Sequence, residues 1–306
     1  MNSLIGSLRS LETSHSGLCY NYFVNANLRL RPSPIAGMWY EGEPKALAHS
    51  VDSYIREAKL PELHGEVIGV VAPHAGHQYS GPVAGYAFAA LRGKKPDLVA
   101  VLSPFHNYHN APLLTSAYDA YTTPLGQIPI DTVSMQALDT LIKSSLGFGL
   151  TRISNDPEHS LEIELPFLQR ALVSEWKLLP IMVRAVEPRV SQTLGKALAK
   201  VLQGQNAILV ASTDLSHYYD QKTANFYDEV MLDQIESFDP EGAFEAERND
   251  KGFACGLGAL TAVMWACKEL GANEVKVLHH ATSGDVTGDF SGVVGYGAAA
   301  ILKSKT

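Results

Sequence analysis

Residues 66–76 read EVIGVVAPHAG, an unbroken apolar run closed by a proline and then by His74. Runs of Val, Ile and Ala without polar alternation are the mark of a strand buried on both faces, as in a parallel sheet covered by helices. The pattern recurs twice. DLVAVLSPFHNYH (97–109) carries its strand to His106, and AILVASTDLSHYY (207–219) delivers Asp214 and His217. In open α/β sheets the ligand crevice lies beyond the carboxyl ends of the strands. If the three runs share a sheet, one edge of it gathers all four groups.

Outward from these runs the chain alternates strand-like and helix-like stretches. The patterning predicts helices near 44–59 and 81–92, a hairpin or irregular excursion over 111–130, and a helix from Asp131. SLEIELPFLQRAL reads as a helix that accommodates Pro166. KLLPIMV reads as a strand and SQTLGKALAKVLQ as an amphipathic helix. Helices over 221–238, 240–248 and LGALTAVMWACKEL follow, with VKVLHHATSG and GVVGYGAAAIL as closing strands. No linker, repeat or low-complexity block interrupts the rhythm. The expected architecture is α/β: a single domain over 29–306, with a central, largely parallel or mixed sheet flanked by helices. Residues 1–28, polar and without clear periodicity, are expected to form a poorly ordered extension.

Composition narrows the function. With 46% apolar and 18% charged residues, the 306-residue chain can bury a large core. A formal charge of -8 without any dense Lys/Arg run argues against nucleic acid and anionic lipid as partners. Three cysteines (Cys19, Cys255 and Cys267) form no disulfide framework and no CxxC pair, which points to a cytoplasmic protein. No apolar span is long enough to cross a bilayer. GxSxG, P-loop and GxGxxG signatures are also absent.

The candidate chemistry lies in the strand-end histidines. A single histidine at a loop most often caps or hydrogen-bonds, and His77, His109, His279 and His280 are read that way. Two runs that both end in Pro and then His are harder to set aside, and His74 and His106 can supply two imidazole nitrogens to one divalent metal. Cys255, in GFACGLGAL at a glycine-rich helix entrance, suits a soft third ligand or a redox thiol. There the helix dipole favours thiolate. Cys267, inside an apolar helix, reads as a small buried hydrophobe. Asp214 and His217 suit proton transfer, and His159 a supporting place beside the site. Asp156 and Ser160 read as capping residues.

In order along the chain, RPSPIAGMWY, APHAGHQYSGPVAGYAF, LSPFHN, EHSLEIELPFLQ, STDLSHYY and ACGLGAL resemble the motifs of the MEMO-like family, from Arg31 to the C-terminus. That family is similar in fold to the class III extradiol ring-cleaving dioxygenases, which are non-haem iron enzymes. The resemblance implies His74, His106 and Cys255 as metal ligands, with iron ahead of copper or zinc. It implies His217 as the acid–base group beside Asp214. The ring-cleaving relatives carry a carboxylate where Cys255 stands. Trp39 with Tyr40 matches the family's aromatic pair at the pocket, and Tyr79 falls in the motif that contains His74, so Trp39, Tyr79 and His159 are expected to contact substrate or support the ligands. Ser103, Phe105 and Glu41 depart from the common pattern. The resemblance further implies a pathway shared with AMMECR-like and radical-SAM proteins.

Three functions stand open at this level: a non-haem iron redox enzyme, a non-catalytic module that binds a peptide or metal on the same scaffold, and a metal-assisted hydrolase. The ligand expected is a small molecule or a peptide.

Overall fold

The computed structural model describes residues 28–304, so the extension expected over 1–28 lies, except for Leu28, outside the described residues. In chain order the elements are β1 (Leu30–Arg31), α1 (Pro44–Glu57), β2 (Glu66–Ala72), α2 (His77–Ala89), β3 (Leu98–Pro104), β4 (Leu113–Ser116), β5 (Ala120–Thr123) and β6 (Gly126–Pro129). Then come α3 (Thr132–Leu146), β7 (Thr151–Ile153), a 3₁₀ turn (Glu162–Glu164) running into α4 (Leu165–Ala171), β8 (Lys177–Val183) and α5 (Pro188–Leu202). The chain closes with β9 (Ala207–Ser212), β10 (His217–Tyr219), α6 (Gln221–Glu236), α7 (Pro240–Arg248), α8 (Leu257–Glu269), β11 (Glu274–Thr282), α9 (Gly284–Thr287) and β12 (Val293–Lys303).

A nine-stranded mixed sheet forms the centre. Strands β2, β9, β3 and β8 lie side by side and parallel, in that order. β12 runs antiparallel to β2, and β4 antiparallel to β8. Every residue of β3 is buried, and so are six of the seven in β2 and in β8, as expected for strands covered on both faces. One continuous core runs through both faces of the sheet. A separate three-stranded sheet pairs β1 with the β5–β6 hairpin, so of the excursion expected over 111–130 the later part is a hairpin, while β4 at its start belongs to the central sheet. No helix among the described residues is long and apolar enough to cross a membrane.

Strands β2 and β3 are not direct neighbours, because β9 lies between them. The three apolar runs read from the sequence are therefore three consecutive strands. Their carboxyl ends carry His74, the Asp214–His217 segment and His106 side by side.

The second helix begins four residues earlier than the patterning predicts. Gly81, Pro82 and Gly85 lie inside α2, as the predicted span has them, although such residues disfavour helix interiors. The reason is packing: a Cβ on Gly85 would stand 2.4 Å from the carbonyl oxygen of Tyr54 in α1, and one on Gly81 would strike the Tyr54 ring. The glycines let the two helices approach more closely than side chains permit. The earlier start makes His77 a buried helical residue whose Nε2–H donates to the carbonyl of Ile163 at 3.0 Å.

Candidate metal centre

His74 follows β2 by two residues and is almost fully buried. Its backbone N–H donates to Asp214 Oδ1 at 2.7 Å, and its Nδ1 lies 2.9 Å from Ser212 Oγ. The Ser212 hydroxyl spends its own proton on the carbonyl of Ser160 at 2.6 Å. At His74 it can therefore only accept, which places the imidazole proton on Nδ1 and leaves Nε2 with a free lone pair. Burial, with repulsion from His106 and His159, holds the His74 pKa well below its ordinary value, so the ring is neutral.

His106 is oriented in the same manner by a carboxylate. Its Nδ1 lies 2.8 Å from Glu158 Oε1, and its backbone N–H donates to Glu158 Oε2 at 2.6 Å. Glu158 also accepts the backbone N–H groups of His159 and Ser160, each at 3.0 Å. A histidine whose Nδ1 is held by a carboxylate or hydroxyl while Nε2 points away is the usual arrangement around a metal ligand. Burial opposes charge at both partners. The hydrogen bond outweighs it, raising the His106 pKa and pulling Glu158 down to about 2.

Among the described residues, His74, His106 and His159 have ligating atoms within 4.8 Å of one another. The rings are not equivalent. His159 stacks on His106, with centroids 4.7 Å apart and planes at 18°, whereas His74 meets both edge-on. Imidazole lone pairs lie in the ring plane, so two stacked, nearly parallel rings hold them in separate, nearly parallel planes that converge poorly on one ion. Cys255 Sγ, in contrast, stands 3.1 Å from His74 Nε2.

Cys255 reaches this place because α8 starts hard against the end of β9. The helix N-cap, Gly256, donates its N–H to Thr213 Oγ1, and a Cβ there would lie 2.5 Å from the Ser212 carbonyl oxygen. The Asp214 N–H donates to Sγ at 3.2 Å. The helix-dipole argument favoured thiolate at Cys255. Instead, although the residue is exposed to solvent, crowding of Sγ by protein atoms and the Asp214 carboxylate push the thiol pKa up, against thiolate in the metal-free protein. Asp214 is buried and lifted to about 7 by that burial, with Oδ2 4.0 Å from His74 Nε2.

His217 donates from Nδ1 to the carbonyl of Leu215 at 2.8 Å, leaving Nε2 as a base, and burial lowers its pKa. With Cys255, Phe253 and Glu247 it lines a cavity of 230 Å³. The next residue, Tyr218, adopts φ 65°, an uncommon conformation for a bulky residue, and its side chain lines a different cavity of 510 Å³. Trp39 and Tyr79 line that larger cavity too, and the Trp39 ring lies 4.1 Å from that of His159. Segment 217–219 is thus a wall between two pockets.

The family model for Memo-like proteins matches residues 31–300. The chain belongs to the Memo-like family. A MEMO1 family protein of Nitrosopumilus maritimus is 34% identical over 273 residues, covering 88% of this chain and 98% of the relative. One from Methanopyrus kandleri is 34% identical over 278 residues, with 88% and 97% covered, and one from Thermotoga neapolitana 33% over 278, with 87% and 98%. The Memo-like motifs quoted from the sequence are the segments that build this centre.

Several supporting residues escaped the sequence reading. Glu158 stands beside His159 in a segment read as caps, and Ser212 closes an apolar run. Asp156 is no ordinary cap: it is buried in an ion pair with Arg31 at 2.6 Å. The Ser160 carbonyl accepts from Ser212, and its hydroxyl donates to the Pro104 carbonyl at 2.9 Å. A buried charge must be paired, and that rule applied to Asp156, Glu158 and Glu162, closely spaced in one short segment, was the available signal.

Glu158 also sets an acid limit. Unfolded, its carboxylate takes up a proton near the ordinary value of 4.5; folded, it does so only near 2. Between these pH values the unfolded chain binds more protons, so stability is greatest above the window and falls as pH drops through it. Urea denaturation from pH 5 to pH 2 should show a loss on the order of 2–3 kcal/mol in the native protein from this group. The loss should be markedly shallower in Glu158→Gln; equal slopes would contradict the assignment.

Proposed function

We propose that this Memo-like protein is a metal-dependent oxidoreductase, in which His74, His106 and Cys255 hold one divalent metal, iron ahead of copper or zinc, and His217 transfers protons. The observation that carries this reading is the pair of imidazoles at the ends of the two strands that flank β9, each with Nδ1 engaged, and the Cys255 thiol 3.1 Å from the Nε2 of His74. Two nitrogens and a sulfur fit a borderline or soft first-row ion better than magnesium or calcium. Iron or copper would supply Lewis acidity and a redox couple when bound, zinc Lewis acidity alone.

The chain's own residues supply the rest. Glu158 and Ser212 fix the two tautomers, and the His159 ring, stacked on His106 and met at a tilt by Trp39, packs against one side of the centre. His217, neutral and with Nε2 unspent, accepts a proton from a substrate hydroxyl in the 230 Å³ cavity and returns it to the product.

The test is anaerobic loading with ferrous iron, followed by exposure to O₂ with a panel of catechols and other small phenols. Oxygen uptake that falls 10²- to 10⁴-fold in His217→Gln, with metal content kept, is the expected result. No uptake and no spectral change with any compound would count against an oxidoreductase. A binding-module reading draws support from the aromatic cavity beside the centre. It would prevail if ligand binding persisted unchanged in His74→Ala while turnover was never seen.

A further inference from the structure

The 510 Å³ cavity has a distinct chemical character. Four aromatic side chains, Trp39, Tyr79, Tyr218 and Tyr296, line it, and its one formal charge is the carboxylate of Asp289. Among the described residues that line it, none is Lys, Arg or His. Asp289 accepts from Ser291 N–H at 3.0 Å and Ser291 Oγ–H at 2.7 Å, which keep its pKa below the ordinary value. An anionic ligand would meet this carboxylate and the negative faces of the rings without a compensating cation. A cationic ligand meets both favourably, through cation–π attraction and a charge-assisted hydrogen bond. The cavity volume suits a small molecule, and the chain's net charge of -8 steers cations toward it.

We propose that this cavity binds an arylalkylamine, a small molecule with an aromatic ring seated among the four side chains and a protonated amine directed at Asp289. The cavity begins at Ala75 and Gly76, directly after His74, and Trp39 joins it to His159. That the amine is a substrate rests on the metal-centre reading above; that it binds does not.

Three probes of one shape separate the alternatives: tyramine (cationic), tyrosol (neutral) and 4-hydroxyphenylacetate (anionic). Isothermal titration of the full-length, metal-stripped protein at pH 7 and low salt should find tyramine about tenfold tighter than tyrosol, and the acid weakest. Asp289→Asn should narrow the tyramine preference to about threefold, and Trp39→Ala should weaken tyramine and tyrosol alike. Equal or tighter binding of the acid, an unchanged preference in Asp289→Asn, or no binding of any probe at millimolar concentration would overturn the proposal. A lysine-containing peptide that bound more tightly than tyramine would overturn its small-molecule part. Because the protein is metal-free, failure here leaves the metal centre standing. Amine binding without oxygen uptake after iron loading would instead isolate the failure in the proposed function.

Discussion

Arg31→Ala is expected to cost about 3–5 kcal/mol of folding stability, the range found when one member of a buried ion pair is removed. Arg31 is 1% exposed, although it stands at the very start of the described fold. Its Nε donates to Asp156 Oδ2 at 2.6 Å, its Nη1 to Glu162, and its Nη2 to the carbonyls of Asp156 and Glu158 at 3.2 and 2.7 Å. The guanidinium also lies 4.6 Å over the Tyr121 ring. Without it, Asp156 and Glu162 are left as uncompensated carboxylates in the core. Two backbone carbonyls of the segment that presents Glu158 and His159 lose their donor as well. Urea denaturation measures the loss, and Arg31→Lys, which keeps the charge but not the forked geometry, should fall between. A loss under about 1 kcal/mol would mean that the network is not the anchor described here.

His106→Ala should lower ferrous-ion affinity by more than about 100-fold, exceeding the 10- to 100-fold typical of losing only a supporting hydrogen bond around a metal. The substitution removes a proposed donor and takes from the Glu158 carboxylate its hydrogen bond to the ring, leaving it backbone partners and His159 Nδ1 at 3.3 Å. Glu158→Gln, which keeps the imidazole but loosens its orientation, should fall within the lesser range. Anaerobic titration with a competing chelator gives both numbers. Comparable affinities for the native protein and His106→Ala would show that the ion, if bound, sits elsewhere.

The fold was legible where buried strands announce themselves. The runs ending at Ala72, Pro104 and Ser212 carry almost no polar residue, so both their extent and their parallel sense could be read. The gathering of His74, His106, Asp214 and His217 was legible to the same depth, since they follow three adjoining strand ends. Cys255 came from the family resemblance and from its glycine-rich helix start. What was not legible depends on contacts distant in sequence: Ser212 Oγ fixing the His74 tautomer, Arg31 pairing 125 residues away with Asp156, and Gly81 and Gly85 admitting the close approach of Tyr54. Each of those residue types has an ordinary local use, and only the tertiary partner gives it this one.

The same contacts separate the two readings of the third donor. By distance alone His159 completes a triad, while ring orientation and the position of Sγ favour Cys255. Titration of the anaerobic, metal-stripped protein with cobalt(II), followed in the near ultraviolet, distinguishes them. The expected result is a sulfur-to-cobalt charge-transfer band that saturates at one equivalent, disappears in Cys255→Ser and survives in His159→Phe. No such band in the native protein, or its persistence in Cys255→Ser, would contradict a metal centre built from His74, His106 and Cys255.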